Sequence, residues 1–322
     1  DLKGASVTLD AMTGTLKFKD ATIHYVAGLP SVKNVAASAV FSRDRFIAKI
    51  RHGESAGLTV TSAQVRLTNL QGNDEQAEID VSLEGSLSDV LALIDRPPLG
   101  YASRFGLQPL SVTGNTETQL KFKFPVLNEL PLSVVDIQTI SRLVNPSVPN
   151  LAFGQTVSAE TLVLMVNTDG MELSGRARIG DVEAAIKWTE LFGADEKYPR
   201  RYEAKAVLSQ AQLDAIGVIK ASPFLKGSLA ANVAVLQPRT GSTEIDLKLA
   251  LKDTKMWVPG FRWRKPTGRE GVASFRLLVA PDGKLSIPEF SVDSPGLTAK
   301  GSVKFDRHRK FTQMDIGKFI LG

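Results

Sequence analysis

From Thr243 to Phe305 the chain alternates apolar and polar residues with a period of two. In TEIDLKLAL, Ile245, Leu247, Leu249 and Leu251 alternate with Glu244, Asp246, Lys248 and Ala250. That period places every second side chain on one face of a pleated strand. SFRLLVA repeats it with Phe275, Leu277 and Val279, and KLSIPEFSV and LTAKGSVKF follow. Pro281-Asp282-Gly283 separates two of these runs, since proline pre-sets the first turn dihedral and glycine accepts positive φ. The pattern predicts antiparallel strands joined by short turns.

The same pattern runs from the start of the chain. Thr13–Lys19 predicts a first strand, with Leu16 and Phe18 opposite Lys17 and Lys19, and ATIHYVAGLP a second, ended by Gly28 and Pro30. AASAVFS, FIAKIRHG, LTVTSAQVRL and AEIDVSLEG continue, with turn signals about every ten residues, the spacing of an all-β array. Ser86–Asp95 interrupts it. Leu87, Val90, Leu91 and Ile94 fall at helical spacing behind a Ser86 N-cap, and Pro97-Pro98 stops the run, so a short amphipathic helix lying on a sheet is expected. TETQLKFKFPVL returns to strand, with Leu120, Phe122 and Phe124 opposite Lys121 and Lys123. Further helical turns are expected at Asp136–Val144, Thr189–Phe192 and Leu213–Val218. Between them TLVLMVN, with Leu162 and Leu164 on one face, MELSGRARI, VEAAIKW, YEAKAVLS and SLAANVAVL read as strands.

Segments echo one another. Gly296–Phe305 (GLTAKGSVKF) matches Gly57–Leu67 (GLTVTSAQVRL), and Gly170–Ile179 is a looser third copy. Phe18-Lys19-Asp20-Ala21 corresponds to Leu251-Lys252-Asp253-Thr254, and Ser55-Ala56-Gly57-Leu58-Thr59 to Ser294-Pro295-Gly296-Leu297-Thr298. Recurring strand units point to an array in which each unit needs its neighbours to bury its apolar face. The prolines of Val144–Asn150 mark a linker. It divides a first β segment, 1–150, with its helix near 86–95, from a second, 151–322. The chain opens at Asp1 without methionine and stops after GKFILG in mid-pattern, so it is expected to be a piece of a longer protein.

An apolar share of 43% and a charged share of 23% are those of a folded chain rather than a disordered one. The net charge of +5 tolerates an anionic surface without demanding a nucleic acid. No cysteine is present, which excludes disulfides, thiol catalysis and zinc–cysteine sites. No apolar run approaches the roughly 18 residues that span a bilayer.

Little in the chain offers chemistry. Gly53-Glu54-Ser55-Ala56-Gly57 matches the nucleophile-elbow pattern, but the elbow needs a helix after its serine and a strand pattern follows here. A strand-connecting turn is expected instead. The three histidines, His24, His52 and His308, have no metal-ligand spacing. Asp74-Glu75 and Asp195-Glu196 are adjacent carboxylates that do not converge on one substrate, and no phosphate-binding glycine pattern is present. No cofactor is implied. Arg262-Trp263-Arg264-Lys265 and Arg307-His308-Arg309-Lys310 are the basic clusters. In a strand, Arg262 and Arg264 would face away from Trp263, so the first reads as a half-buried strand rather than a nucleic-acid site.

The apolar face itself remains: Leu16, Phe18, Leu120, Phe122, Phe124, Leu162, Leu164, Leu247, Leu249, Leu251, Phe275 and Leu277. It either packs on a second sheet as a sandwich core or curls into an open trough. An acyl chain of about fifteen methylenes would gain on the order of 12 kcal/mol in a trough. Periodicity alone favours the sandwich.

Three stretches resemble the AsmA-like superfamily, in its large YhdP-type branch. They are TLVLMVNTDGMELSGRARIGDVEAAIKWTELFG, RYEAKAVLSQAQLDAIGV and LKGSLAANVAV. KDTKMWVPGFRWRKPTGREGVASFRLLV is similar to that branch in its strand, Val-Pro turn, tryptophan and Lys-Pro-x-Gly, as are FKDATIHYVAGLPSVKNVAASAVF and SLSDVLALIDRPPLGYA. The resemblance implies a mainly β fold of repeated antiparallel strands forming an elongated, curved, taco-like open groove with a few short helices. It implies a non-catalytic periplasmic segment, anchored in the bacterial inner membrane through parts of the full-length protein, carrying phospholipid acyl chains between inner and outer membranes. A β-rich scaffold for envelope assembly is the alternative, and a glycan-processing enzyme would lack its carboxylate pair.

Overall fold

A computed structural model describes residues 12–25, 28–97, 99–152, 154–193, 195–216, 224–306 and 310–322. The chain is mainly β, and its strands pair antiparallel. It divides into two compact units, Asp1–Ser147 with Val163–Thr168, and Val148–Leu162 with Asp169–Gly322.

The first unit is a meander in which each strand pairs with the next. Its strands are β1 (Thr13–Ile23), β2 (Val32–Ser42), β3 (Arg45–Ser55), β4 (Leu58–Thr68), β5 (Gln76–Ser86), β6 (Thr113–Pro125) and β7 (Asp136–Ala152) as far as Ser147. Between β5 and β6 stand α1 (Leu87–Ile94), the single turn α2 (Tyr101–Arg104) and a 3-10 turn at Pro109–Ser111. The Ser86 cap forms as the spacing requires, its Oγ accepting from the Asp89 backbone N at 3.1 Å.

β1 and β2 are longer than the alternation indicates because bulges restart it. Asp20 (φ 55°) and Asn34 (φ 55°) take the left-handed conformation, and the pairing slips between Phe18/Ala37 and Ala21/Val35. An extra residue at a bulge changes which side chains point inward. Ala21–Ile23, expected to open a second strand, therefore extend the first.

Two expected helical segments are strand. Asp136–Val144 lies in β7, whose inward positions Ile137, Thr139, Ser141 and Leu143 pair with Phe122, Leu120, Thr118 and Thr116. The hydroxyl residues at two inward positions hide the period of two, while Ile137, Ile140 and Val144 mimic a helical spacing. The expected linker Val144–Asn150 also lies in β7. Asn145 (φ 49°) forms a bulge opposite Gly114, where Pro146 costs no ladder bond.

The second unit contains β8 (Gln155–Ser158), the start of β9 (Thr161–Asn167), β10 (Gly170–Ile179), β11 (Val182–Leu191), β12 (Arg200–Ser209), α3 (Gln210–Ile216), β13 (Leu225–Gln237) and β14 (Thr243–Ala250). It continues with β15 (Thr254–Trp257), β16 (Arg264–Lys265), β17 (Val272–Val279), β18 (Leu285–Ser294), β19 (Leu297–Phe305) and β20 (Phe311–Leu321). Thr189–Phe192 is not a helical turn. β11 runs on to Leu191, and the Glu190 carboxylate accepts from Arg200 Nε at 2.7 Å across the ladder. α3 covers most of the expected Leu213–Val218 helix, and the remainder lies outside the described residues.

The repeat is visible in three dimensions. Ala56-Gly57 and Pro295-Gly296 are matching two-residue turns, with glycine φ of 82° and 73°. Each precedes a buried leucine, Leu58 or Leu297. Gly28-Leu29 and Gly260-Phe261 correspond likewise, and the two glycines have φ of 87° and 83°. α1 and α3 leave β5 and β12 from serine caps of the same kind. At the second, Ser209 Oγ accepts from the Gln212 N, while Gln212 Oε1 accepts from the Ser209 N at 2.9 Å. Each insertion returns through a glycine of like conformation, Gly114 (φ 112°) or Gly227 (φ 109°).

Candidate functional site

Register sorts the strand residues into rows that cross each sheet. In the first unit one row is Leu16, Ala39, Ala48, Val65, Ile79, Phe122 and Ile137. Its neighbours are Phe18, Ala37, Ile50, Ala63, Val81, Leu120 and Thr139 on one side, and Phe41, Phe46, Leu67, Ala77 and Phe124 on the other. Leu16, Phe18, Leu120, Phe122 and Phe124 thus share one face. Leu16 and Phe18 remain 42% and 39% exposed on the edge strand.

The second unit repeats the arrangement. Ile186, Ala204, Val233, Leu247, Phe275 and Phe290 form one row. Trp188, Tyr202, Val235, Ile245 and Leu277 form the next, and Ala184, Ala206, Ala231, Leu249, Ala273 and Val292 the third. Aromatic rings stack across the strands, Phe275 on Phe290 at 6.4 Å and Trp188 on Tyr202 at 5.7 Å. Burial holds the Tyr202 phenol above its usual pKa. Leu162 lies against Gly175, where an added Cβ would meet its Cδ2 at 2.8 Å. Leu164, in the first unit, is half-buried.

The opposite faces are charged. In the first unit Arg66, Glu78, Lys123 and Asp136 stand in one cross-strand row of alternating sign, with Lys123 Nζ 3.8 Å from Glu78. In the second, Arg276 Nε meets Asp246 at 3.0 Å. Such pairs favour water on that side and contribute little to stability.

Burial along the apolar face of the second unit falls off from one end. Leu208, Leu225, Leu229, Leu249 and Leu251 form a dry cluster, packed by Leu213 of α3 and Met256 of β15. The row through Val233, Leu247 and Phe275, near mid-strand, is only half-buried. Leu277 is buried in a separate cluster with Ile287 and Val303. In a closed sandwich the middle of the strands would be the driest part.

The dry ends are built from specific polar contacts. In the first unit the Thr116, Thr118 and Ser141 hydroxyls are buried and form a chain of 2.9 Å hydrogen bonds. In the second, Lys265 is 1% exposed, and its Nζ donates to the carbonyls of Leu251 at 2.5 Å and Thr254 at 2.8 Å. Desolvation lowers the Lys265 pKa, against the attraction of Asp253 and Glu270. Sequence reading grouped Lys265 with its basic neighbours. Its alternation with Trp263, also buried, was the signal that it points inward. The small residues of the rows, such as Ala37, Ala48, Ala231 and Ala273, were also missed, because periodicity is read most readily from large side chains.

The remaining motifs resolve simply. Gly53–Gly57 is the β3–β4 turn, with Ser55 paired to Leu58 and its Oγ donating to the Pro30 carbonyl at 3.1 Å. His24 and His52 are exposed, with His52 Nε2 3.2 Å from Glu54, and His308 and the Arg307–Arg309 cluster lie outside the described residues. No group of metal-ligating side chains occurs among the described residues, and none of their helices is long and apolar enough to cross a membrane.

The family model described as YhdP protein matches residues 4–269, and the chain belongs to that family. No curated protein and no solved structure matches it significantly.

Proposed function

We propose that the apolar face of each unit holds phospholipid acyl chains, in a periplasmic segment of an AsmA-like protein that moves phospholipid between the bacterial inner and outer membranes. The observation that carries this reading is the half-buried middle of the second unit's apolar face, backed by a charged one, a two-faced arrangement that the rows of the first unit repeat. Membership of the YhdP family supports a role in lipid transport or envelope biogenesis.

The mechanism is passive. Rows of Leu, Val, Ala and Phe side chains shelter methylenes from water, at ~0.8 kcal/mol per methylene buried. Along such a uniform lining a chain shifted by one row exchanges like contacts for like, so sliding meets low barriers. The headgroup stays in water. Leu208, Leu229, Leu249 and Leu251 act in this scheme as the packed base of the trough, and Val233, Leu247, Phe275 and Phe290 as its contact surface.

Strand alternation supplies a sharp test. A photo-crosslinking amino acid at Leu247 or Phe122 is expected to capture phospholipid in cells, whereas the same group at Lys248 or Lys121, one residue away, is not. Equal capture from both faces would overturn the reading. No capture from either would favour the envelope scaffold.

A further inference from the structure

The segment between β14 and β17 is strongly basic. It carries Lys252, Lys255, Arg262, Arg264, Lys265 and Arg269 against Asp253 and Glu270. Register places three of these cations, Lys255 and Arg264 on one side and Lys265 on the other, in a small ladder in which β15 pairs with the start of β13 and with β16. The inner side holds Leu225, Met256 and Lys265, fixed on the dry cluster and on the Leu251 and Thr254 carbonyls. The outer side holds Lys226 directly opposite Lys255, and Trp257 directly opposite Arg264.

Like charges directly across a ladder repel and destabilise the pair. Among the described residues no acidic side chain pairs with either lysine. Lys226, Lys255, Arg262 and Arg264 are exposed and make no ion pair among the described residues. Glu270 instead pairs with Lys252 at 3.0 Å, and Asp253 acts on Lys252 and Lys265. Beside the cations stand a half-buried Trp257 and Phe261, which is 54% exposed and rests on Phe319 at 5.8 Å. Cations interleaved with a tryptophan and an exposed phenylalanine have the composition of a membrane-interface contact, where rings sit at headgroup level and cations meet phosphates.

We propose that the outer face of this ladder, Lys226, Lys255, Trp257 and Arg264, with the exposed Arg262 of the adjoining bend, docks on the phosphate headgroups of an anionic membrane surface. The anionic lipid supplies the counter-charge that the protein withholds, and the inner side keeps the ladder rigid. Docking is independent of acyl-chain binding, because it uses the other side of the ladder.

The test is flotation of the whole chain with phosphatidylcholine vesicles, with and without phosphatidylglycerol. The wild type is expected to float only with phosphatidylglycerol, and less as salt rises. Combined Lys226→Glu, Lys255→Glu and Arg264→Glu is expected to weaken that association at least about tenfold. Should charge reversal impair folding, Lys226→Gln with Lys255→Gln is expected to give a smaller loss in the same direction. Lys121→Gln, at an exposed position on the charged face of the other unit, leaves flotation intact. Unchanged flotation of the charge variants, no preference for phosphatidylglycerol, or displacement by inorganic phosphate at equal ionic strength would each overturn the proposal. The last would assign the patch to free phosphate.

Discussion

Lys265 shows what one strand position can do to a charge. Its neighbours Arg264 and Pro266 are exposed, yet its ammonium is enclosed by main-chain carbonyls at the end of the apolar face. Hydrogen bonds from a charged donor are worth about 1.5–3 kcal/mol, and removing the donor strands buried acceptors. Lys265→Met is therefore expected to lower unfolding stability by about 3 kcal/mol in urea titration. Because its folded pKa is lowered, the unfolded chain holds the extra proton between that pKa and the unfolded value near 10.4. The Lys265 contribution to stability thus rises with pH across that alkaline window and is flat below it. The stability difference between wild type and Lys265→Met should widen there; a difference that narrows would contradict the assignment. Lys255→Glu has the opposite character. Facing Lys226, it turns repulsion into attraction and should raise stability by about 0.2–1 kcal/mol while weakening vesicle flotation. A variant that improves the fold and impairs an activity separates the two roles of that surface.

The elements were legible where a single period runs unbroken, and obscure where a bulge or a hydroxyl interrupts it. β6 and β14 alternate large apolar residues with charges and could be read directly, as could α1 behind Ser86. β7 could not, because Thr139 and Ser141 occupy its inward face and Asn145 resets its phase. Which bulge faces which strand is a property of pairing, and pairing is not written locally. The close approaches at Gly114 and Gly227 give this a measurable form. A Cβ at Gly227 would meet the Asp253 carbonyl at 2.4 Å, and one at Gly114 the Asn145 carbonyl at 2.7 Å, both at positive φ. Gly114→Ala and Gly227→Ala should each cost more than about 1 kcal/mol, against about 1 kcal/mol for loss of the Ser86 cap in Ser86→Ala. Tolerance of alanine at either glycine in thermal melts would show that the two positions are not equivalent bends of one repeat.

At the scale of the molecule, alternation made the β class and the two-faced sheet readable, and the resemblance to the YhdP-type branch is matched by family membership. The phase of the face could be checked only with the register in hand. Leu16, Phe18, Leu120, Phe122 and Phe124 fall in adjoining rows even though the bulges at Asp20 and Asn34 lie between them. The distribution of burial was out of reach of any period. Leu247 and Leu249 are equivalent in pattern, yet one is half-buried and the other lies in the dry cluster under α3 and β15. That difference comes from two insertions, whose placement depends on where the meander folds back. The central claim, that the half-buried rows hold acyl chains, is tested most directly by native mass spectrometry with lipid extraction. The protein would be purified from a bacterial host without harsh detergent. Co-purifying phospholipid, lost from folded Phe122→Asp and Leu247→Asp, is the predicted result. A lipid-free wild type that also takes up none from liposomes, or global unfolding of both variants as expected for a closed core, would contradict it.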